Sequence, residues 1–460
     1  MNFSMLFNRK VIFGAGSIAK LNHEIPGLLE GRMRGGGILL VISRSVSRSD
    51  KYLEFRESLC KGGSDSPETE TGPRVDCAGE EIVSGEPSPE TVDRITARYS
   101  DKKIDLVVGI GGGSVMDAGK AVSAMLPLVG GAEAKGEAVS GAEGEAVRGT
   151  AVKGSSAGGA AGGAGHGVTS GISVRDYLEG VGRQKPPGIK IPYVAIPTTS
   201  GTGSEATKNA VITERGRNGF KKSLRHDSYV PEMAIIDPEF MLSCPRNVTA
   251  ASGMDTVSQL LESYISTKAN PLTEALALEG LKLASQSLPR LCNDSPGDME
   301  LRGKMALASY ISGITLANAG LGTVHGIAGP LGGIFDIPHG VACANLLPGV
   351  LETTIEKLKA EAPESPLLVK LGSLGFLFAR GREVSIEASE TIKGRYEVFK
   401  GLRLLVESLE EWLDSLGIPP LSSFGISIAD VDIIAEKSGN KNNPISLSRE
   451  EIALVIKKRL

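Results

Sequence analysis

The chain's two most suggestive side chains bracket a glycine-rich stretch, His325-Gly326-Ile327-Ala328-Gly329-Pro330-Leu331-Gly332-Gly333-Ile334-Phe335-Asp336-Ile337-Pro338-His339-Gly340. Only five histidines occur in 460 residues, so two so close together, among glycine and apolar neighbours, call for an explanation. Buried imidazole nitrogens need partners. Two rings in one short segment suit a metal ion whose other ligands come from elsewhere. The plainer alternative is a pair of hydrogen-bonded structural histidines. A carboxylate is available in Ala251-Ser252-Gly253-Met254-Asp255-Thr256-Val257-Ser258-Gln259-Leu260-Leu261-Glu262, where Asp255 and Gln259 stand four apart and share a helix face. Asp255, His325 and His339 make a two-histidine, one-carboxylate set of the kind that holds Fe(II) or Zn(II), and Gln259 could add a neutral oxygen. Asp255 could equally cap a helix or form a salt bridge between helices.

A second kind of chemistry is suggested where Asp105-Leu106-Val107-Val108-Gly109-Ile110 runs into Gly111-Gly112-Gly113-Ser114-Val115-Met116-Asp117-Ala118-Gly119-Lys120. A strand, a glycine run and a helix start is the arrangement in which backbone N–H groups and a helix N-terminus meet a phosphate. It is neither the Gly-x-Gly-x-x-Gly fingerprint nor a P-loop, and the turn could be geometry alone. Thr198-Thr199-Ser200-Gly201-Thr202-Gly203-Ser204-Glu205 follows another apolar run and adds short hydroxyl donors suited to phosphate or ribose.

These segments need a scaffold, and the apolar runs supply one. Lys10–Phe13, Gly37–Ile42, Asp105–Ile110, Ile191–Pro197 and Met233–Asp237 read as strands, several without alternation, as in a parallel sheet buried on both faces. Strands alternating with helical stretches define an α/β nucleotide-binding domain over residues 1–240. From 241 to 460 the pattern is helical, with helices expected near 250–266, 271–288, 298–318, 345–360, 388–415 and 447–458, giving an all-α second domain. Residues 61–81, rich in Gly, Ser, Pro and Glu, read as a loop or insertion. Residues 130–171 are almost entirely Gly, Ala, Ser, Glu and Lys; they bury too little surface to offset ordering entropy and read as a disordered insertion, which takes His166 out of any site.

Composition narrows the partners. A net charge of −4 and 23% charged residues exclude the basic character that nucleic-acid binding requires. No run approaches the ~18 apolar residues of a membrane span. The five cysteines (Cys60, Cys77, Cys244, Cys292, Cys343) are scattered and odd in number, which argues against a disulfide framework and for a reducing, cytoplasmic setting.

Together the motifs Gly111–Lys120, Pro197–Glu205, Ala251–Asp255 and His325…Pro338-His339-Gly340 resemble the iron-containing (group III) alcohol dehydrogenases of the dehydroquinate synthase-like fold, from about residue 8 onward. The resemblance implies an N-terminal NAD(P)-binding α/β domain, a helical metal-binding domain and a cleft between them. Gly111, Gly112, Gly113 and Ser114 would hold the pyrophosphate, with Asp117 nearby. Thr198, Thr199, Thr202, Val211 and Lys221 (or Lys222) match the surroundings of nicotinamide and ribose. Asp255, His325 and His339 match three of the four usual metal ligands and form the expected catalytic set.

Two departures stand out: Gln259 replaces the histidine usual four residues after the Asp, and Gly329 replaces a proton-relay histidine. Where relatives that prefer NAD carry an Asp after the second strand, this chain has Ser43 followed by Arg44, which favours NADP over NAD. The expected activity is hydride transfer between NAD(P) and a small alcohol or carbonyl, assisted by Fe(II) or Zn(II). The alternatives are a metal-independent reductase resembling maleylacetate reductase and a non-catalytic nucleotide-binding relative. Homodimers are common in the family, and the oligomeric state stays open.

Overall fold

The computed structural model describes residues 3–30, 35–61, 76–130, 171–216, 219–380 and 392–460. The insertion expected at 130–171 lies almost wholly outside the described residues.

Six strands form one parallel sheet: β1 (Lys10–Phe13), β2 (Gly37–Ser43), β3 (Cys77–Val83), β4 (Ile104–Gly111), β5 (Tyr193–Pro197) and β8 (Met233–Ile236), in the order β1-β8-β5-β4-β2-β3. The run Ile38-Leu39-Leu40-Val41-Ile42 does not alternate because both faces of β2 are covered. Leu39 and Val41 pack towards the helix that follows β4. Ile38, Leu40 and Ile42 pack on the other face with Leu21, Ile25 and Leu29. Crossover helices α1 (Leu21–Leu28), α2 (Asp50–Lys61), α3 (Pro89–Arg98) and α4 (Gly113–Val129) connect successive strands. A short antiparallel hairpin, β6 (Asn209–Glu214) and β7 (Phe220–Arg225), lies outside the sheet.

The rest is helical: α5 (Arg246–Ile265), α6 (Pro271–Asn293), α7 (Met299–Ala319), α8 (Thr323–Ile334), α9 (His339–Glu361), α10 (Pro366–Arg380), α11 (Ile392–Leu416), α12 (Val431–Lys437) and α13 (Arg449–Lys457). This α/β-then-helical architecture is the one expected. α5 is buried from Val257 through Ile265 without a break, packed among α6, α7 and α9. A helix enclosed on all sides has no solvent for its polar groups, so each one needs a partner inside the protein. Among the described residues no helix is long and apolar enough to cross a membrane.

Several expectations need correction. Residues 77–81 belong to β3 rather than to a loop. As an edge strand it tolerates charge: Tyr52 donates to Glu80 at 2.6 Å, and Arg94 and Arg98 each reach Glu81 at 3.0 Å. The hairpin was unforeseen because β7 (FKKSLR) looks polar, and α8 and α10 were not assigned. α9 starts at His339, a full turn and more before the expected 345. The reading against disulfides also fails for one pair. Cys60 and Cys77 are bonded across a sequence separation of 17, with Cα atoms 5.6 Å apart, which ties the end of α2 to the start of β3. The fold brings together two residues whose sequence spacing forms no recognisable motif.

Candidate active site

Parallel strands deliver their following loops to one edge of the sheet, and ligands in such folds sit there. Here that edge and the helical half enclose a cleft of about 1320 Å³. Ser43, Gly112, Gly113, Ser114, Asp117, Thr199, Thr202, Val211 and Lys221 line it from the sheet side; Asp255, Gln259, His325, Gly329 and His339 line it from the helical side. Three predicted residues are not on its wall. Gly111 is buried at the end of β4, where its carbonyl accepts from the Thr198 N–H at 2.9 Å, so this pair splices β4 to the hydroxyl-rich loop. Arg44 is exposed beside Ser43.

The glycine turn is shaped by its neighbour. The Gly112 carbonyl accepts from the N–H groups of Val115 and Met116 and so starts α4. A Cβ on Gly113 would lie 2.5 Å from Thr202 Cγ2, whereas one on Gly112 would meet Thr199 at 3.4 Å. Only the first is a steric requirement for glycine. The Ser204 hydroxyl donates to Asp117 at 2.6 Å. Burial pushes the Asp117 carboxyl above its ordinary range, although Lys120 pulls against this. Lys120 is fully buried and donates to the Ser204 carbonyl and hydroxyl, to Thr207 and to the Asn209 carbonyl at 2.6–3.0 Å. Burial brings its pKa down to about 8 against the pull of Asp117. Lys221 pairs with Glu86, which also accepts from the Thr213 hydroxyl at 2.7 Å. Burial would push Glu86 up, but Lys221 and Thr213 outweigh it and hold the carboxyl low. Lys222, the other candidate, is exposed.

The 198–204 loop also touches the helical half. Gly203 has φ +58°, and Gly313 of α7 packs against its backbone: a Cβ on Gly313 would lie 2.1 Å from the Gly203 carbonyl oxygen. The Thr256 hydroxyl of α5 donates to the Gly201 carbonyl at 3.0 Å. Across the cleft mouth Arg215 pairs with Asp336 at 2.5 Å.

At the helical end four side chains converge. The nearest ligand atoms of Asp255, His325, His339 and Cys343 all lie within 4.8 Å of one another. α5 supplies Asp255, the first turn of α8 supplies His325, and α9 supplies His339 and Cys343 one turn apart. α9 can start here because Gly340 abuts the Ala251 carbonyl, where a Cβ would sit only 2.1 Å from the oxygen. His325 Nε2 is 3.2 Å and His339 Nε2 3.9 Å from Asp255 Oδ1, with the two rings edge to face. His325 Nδ1 lies 2.6 Å from Glu262 Oε2, while Glu262 Oε1 accepts the Val324 N–H at 2.6 Å. One carboxylate thus caps α8 and fixes the His325 ring, leaving Nε2 aimed at the cluster. Gln259 is buried on the same face of α5 as Asp255, and its amide oxygen accepts the Ser312 hydroxyl at 2.7 Å.

The electrostatics are those of a cation site. Burial would raise the Asp255 carboxyl, but His339 and His325 outweigh it and bring its pKa down to about 2. Burial alone would lower His325; Cys343, Glu262 and Asp255 instead hold it well above the ordinary histidine value. His339 goes the other way, pushed down to about 3 by burial and the Lys221 ammonium, and its Nδ1 has no hydrogen-bond partner among the described residues. Two buried carboxylates flanking His325 favour positive charge at its position, either a proton or a metal ion bound at Nε2. The donor set of carboxylate, imidazoles and thiol suits a divalent transition metal.

Sequence reasoning missed Cys343, Glu262 and Glu86, and gave Ser204 and Lys120 no role of their own within the motifs that contain them. Two of them carried a signal: Cys343 stands four after His339, and Glu262 seven after Asp255, both same-face helical spacings. Glu86 and Ser204 reach the cleft only through the fold.

With the geometry in view, known proteins can be set beside the chain. The model of iron-containing alcohol dehydrogenases matches residues 8–146 and 150–238, and that of the C-terminal part of the Fe-containing alcohol dehydrogenase family matches 249–460. Long-chain-alcohol dehydrogenase 1 of Geobacillus thermodenitrificans is 30% identical over 383 residues, spanning 81% of this chain and 79% of that protein. Alcohol dehydrogenase 4 of Saccharomyces cerevisiae is 32% identical over 295 residues, 63% of this chain and 70% of its own length. The solved alcohol dehydrogenase from Oenococcus oeni superposes with a TM-score of 0.73 at 25% identity, covering 100% of both chains.

Proposed function

The chain belongs to the iron-containing alcohol dehydrogenase family, and on that premise we propose that it interconverts an alcohol and its aldehyde or ketone with NAD(P) and a divalent metal held by Asp255, His325 and His339. The observation that carries this reading is the convergence of those three side chains at one end of a cleft whose other end is the glycine turn.

When bound, the nicotinamide accepts or donates the hydride and the metal acts as Lewis acid on the substrate oxygen. The protein's own groups do the rest. The N-terminus of α4, reached through Gly112, Gly113 and Ser114, faces the pyrophosphate with its free N–H groups. Thr199, Thr202 and Val211 border the ribose and nicotinamide, and Lys221, held by Glu86, adds positive charge to that wall. Glu262 orients His325, and so fixes the pole to which substrate is drawn. Gly329 offers no side chain, and nothing lies within 4 Å of where its Cβ would be, so the alcohol proton leaves through water in the cleft. Ser43 followed by Arg44 favours the 2′-phosphate of NADP over a bare ribose.

The test is metal analysis of the purified protein, with NADPH and NADH oxidation by short aldehydes measured before and after chelation. The expected result is near-stoichiometric metal, faster NADPH oxidation, and activity lost on chelation and restored by metal. Full activity after chelation would replace this reading with the metal-independent reductase.

A further inference from the structure

We propose that Cys343, rather than Gln259, is the fourth protein ligand of the metal, giving an Asp–His–His–Cys set that selects zinc over iron. This rests on the metal-dependent reading above and adds to it the identity of the fourth ligand and of the metal.

Geometry makes the first argument. Ligands around a tetrahedral zinc, with Zn–N near 2.0 Å and Zn–S near 2.3 Å, lie roughly 3.3–3.7 Å from one another. Cys343 Sγ is 3.7 Å from His325 Nε2 and 3.7 Å from His339 Nε2, and His325 Nε2 is 3.2 Å from Asp255 Oδ1. With 3.9 Å between His339 Nε2 and Asp255 Oδ1, these separations approximate four of the six edges of such a tetrahedron, and all the ligand atoms lie within 4.8 Å of one another.

Chemistry makes the second. Gln259 offers a neutral amide whose oxygen is engaged by Ser312. Cys343 is fully buried, and its sulfur lies against both imidazole Nε2 atoms and the Asp255 carboxylate. A thiolate contributes a full negative charge, so with Asp255 it balances a divalent ion in a buried site, which a neutral amide would not do. Sulfur is also the ligand that shifts preference from oxygen-loving metals towards zinc. The pairing of His339 with Cys343 on one face of α9 supplies the helical pair of ligands that the Asp255–Gln259 spacing on α5 no longer supplies.

The experiment is X-ray absorption at the zinc edge on the full chain loaded with one equivalent of zinc, with Cys343→Ser and Gln259→Ala measured alongside. The expected shell contains one sulfur at about 2.3 Å beside nitrogen and oxygen at about 2.0 Å. That sulfur should persist in Gln259→Ala and vanish in Cys343→Ser. Zinc affinity of Cys343→Ser should fall by more than the roughly 10–100-fold that loss of an outer-sphere partner causes. A shell of nitrogen and oxygen only in the unaltered protein overturns the proposal and leaves the metal-dependent reading standing. Failure of the unaltered protein to retain zinc while it retains ferrous iron overturns the proposal alone, and failure to retain either ion overturns both. The absorption result on the unaltered chain decides the question even if a variant fails to fold.

Discussion

The two ends of the cleft are built on opposite principles. At the sheet end the wall is mostly backbone, hydroxyls and absent side chains, with Asp117 and Lys221 beside them, and Gly112, Gly113, Thr199 and Thr202 come from two turns joined by the Thr198–Gly111 and Ser204–Asp117 hydrogen bonds. At the helical end the wall consists of charged and titratable side chains drawn from α5, α8 and α9 and buried among apolar helices. A surface that receives a large anionic cofactor works through shape and N–H direction, and tolerates change wherever the shape survives. A pole that concentrates charge works through matched partners, and removing one leaves the others uncompensated. Substitutions should therefore be graded at the sheet end and severe at the helical end.

The largest expected effect is at the pole. Asp255→Asn should lose bound metal and about a thousandfold in turnover, since Lewis-acid assistance is worth several kcal/mol of barrier and 1.36 kcal/mol is tenfold; metal content and kcat measured together check this. Glu262→Gln keeps every direct ligand but loosens His325, so metal affinity read by chelator competition should drop by about 10–100-fold. If Glu262→Gln had no effect, the contrast between the two ends would fail at its most diagnostic residue.

At the sheet end Gly113→Ala should raise the cofactor KM about tenfold through the collision with Thr202, a cost of 1–3 kcal/mol being usual for overpacking. Gly112→Ala should change it by less than about twofold, and metal content should stay constant in both. A last effect, away from both ends, is in stability. Burial pushes Glu205 up from 4.5 to about 7. The folded protein therefore retains a proton that the unfolded chain releases between those pH values, and stability falls as pH rises through that window. Glu205→Gln should flatten this dependence, which is of order 2 kcal/mol, in urea midpoints compared at pH 4.5 and 7.5.

The same contrast explains what could be read from the chain. Ile38–Ile42 and the Gly111–Lys120 turn are local: strand, glycines and helix are contiguous, so the sheet and its glycine-lined edge follow from short windows. β3 escaped because its glutamates are matched by Tyr52, Arg94 and Arg98, partners that only folding supplies. At the pole, residue types pointed to Asp255, His325 and His339, but Glu262 and Cys343 gained meaning only when α5, α8 and α9 packed together. Arg44 marks the other limit of short windows: it follows the wall residue Ser43 in sequence but lies exposed, off the wall itself. Cys60 and Cys77 show that scattered cysteines can still be neighbours when a helix end and a strand start meet.

Among the contacts that join the two ends, two lie beside the site. The 198–204 loop rests on α7 at Gly203–Gly313 and is tied to α5 through Thr256, the residue after Asp255. A rotation of the helical half about those contacts behaves like a lever about its axle. Displacement about such an axle would grow with distance, largest at the Arg215–Asp336 pair on the rim and smallest between the Thr202 loop and the Asp255 carboxylate. Opening of that kind would widen the mouth and leave the spacing between the Thr202 loop and the Asp255 carboxylate almost as it is.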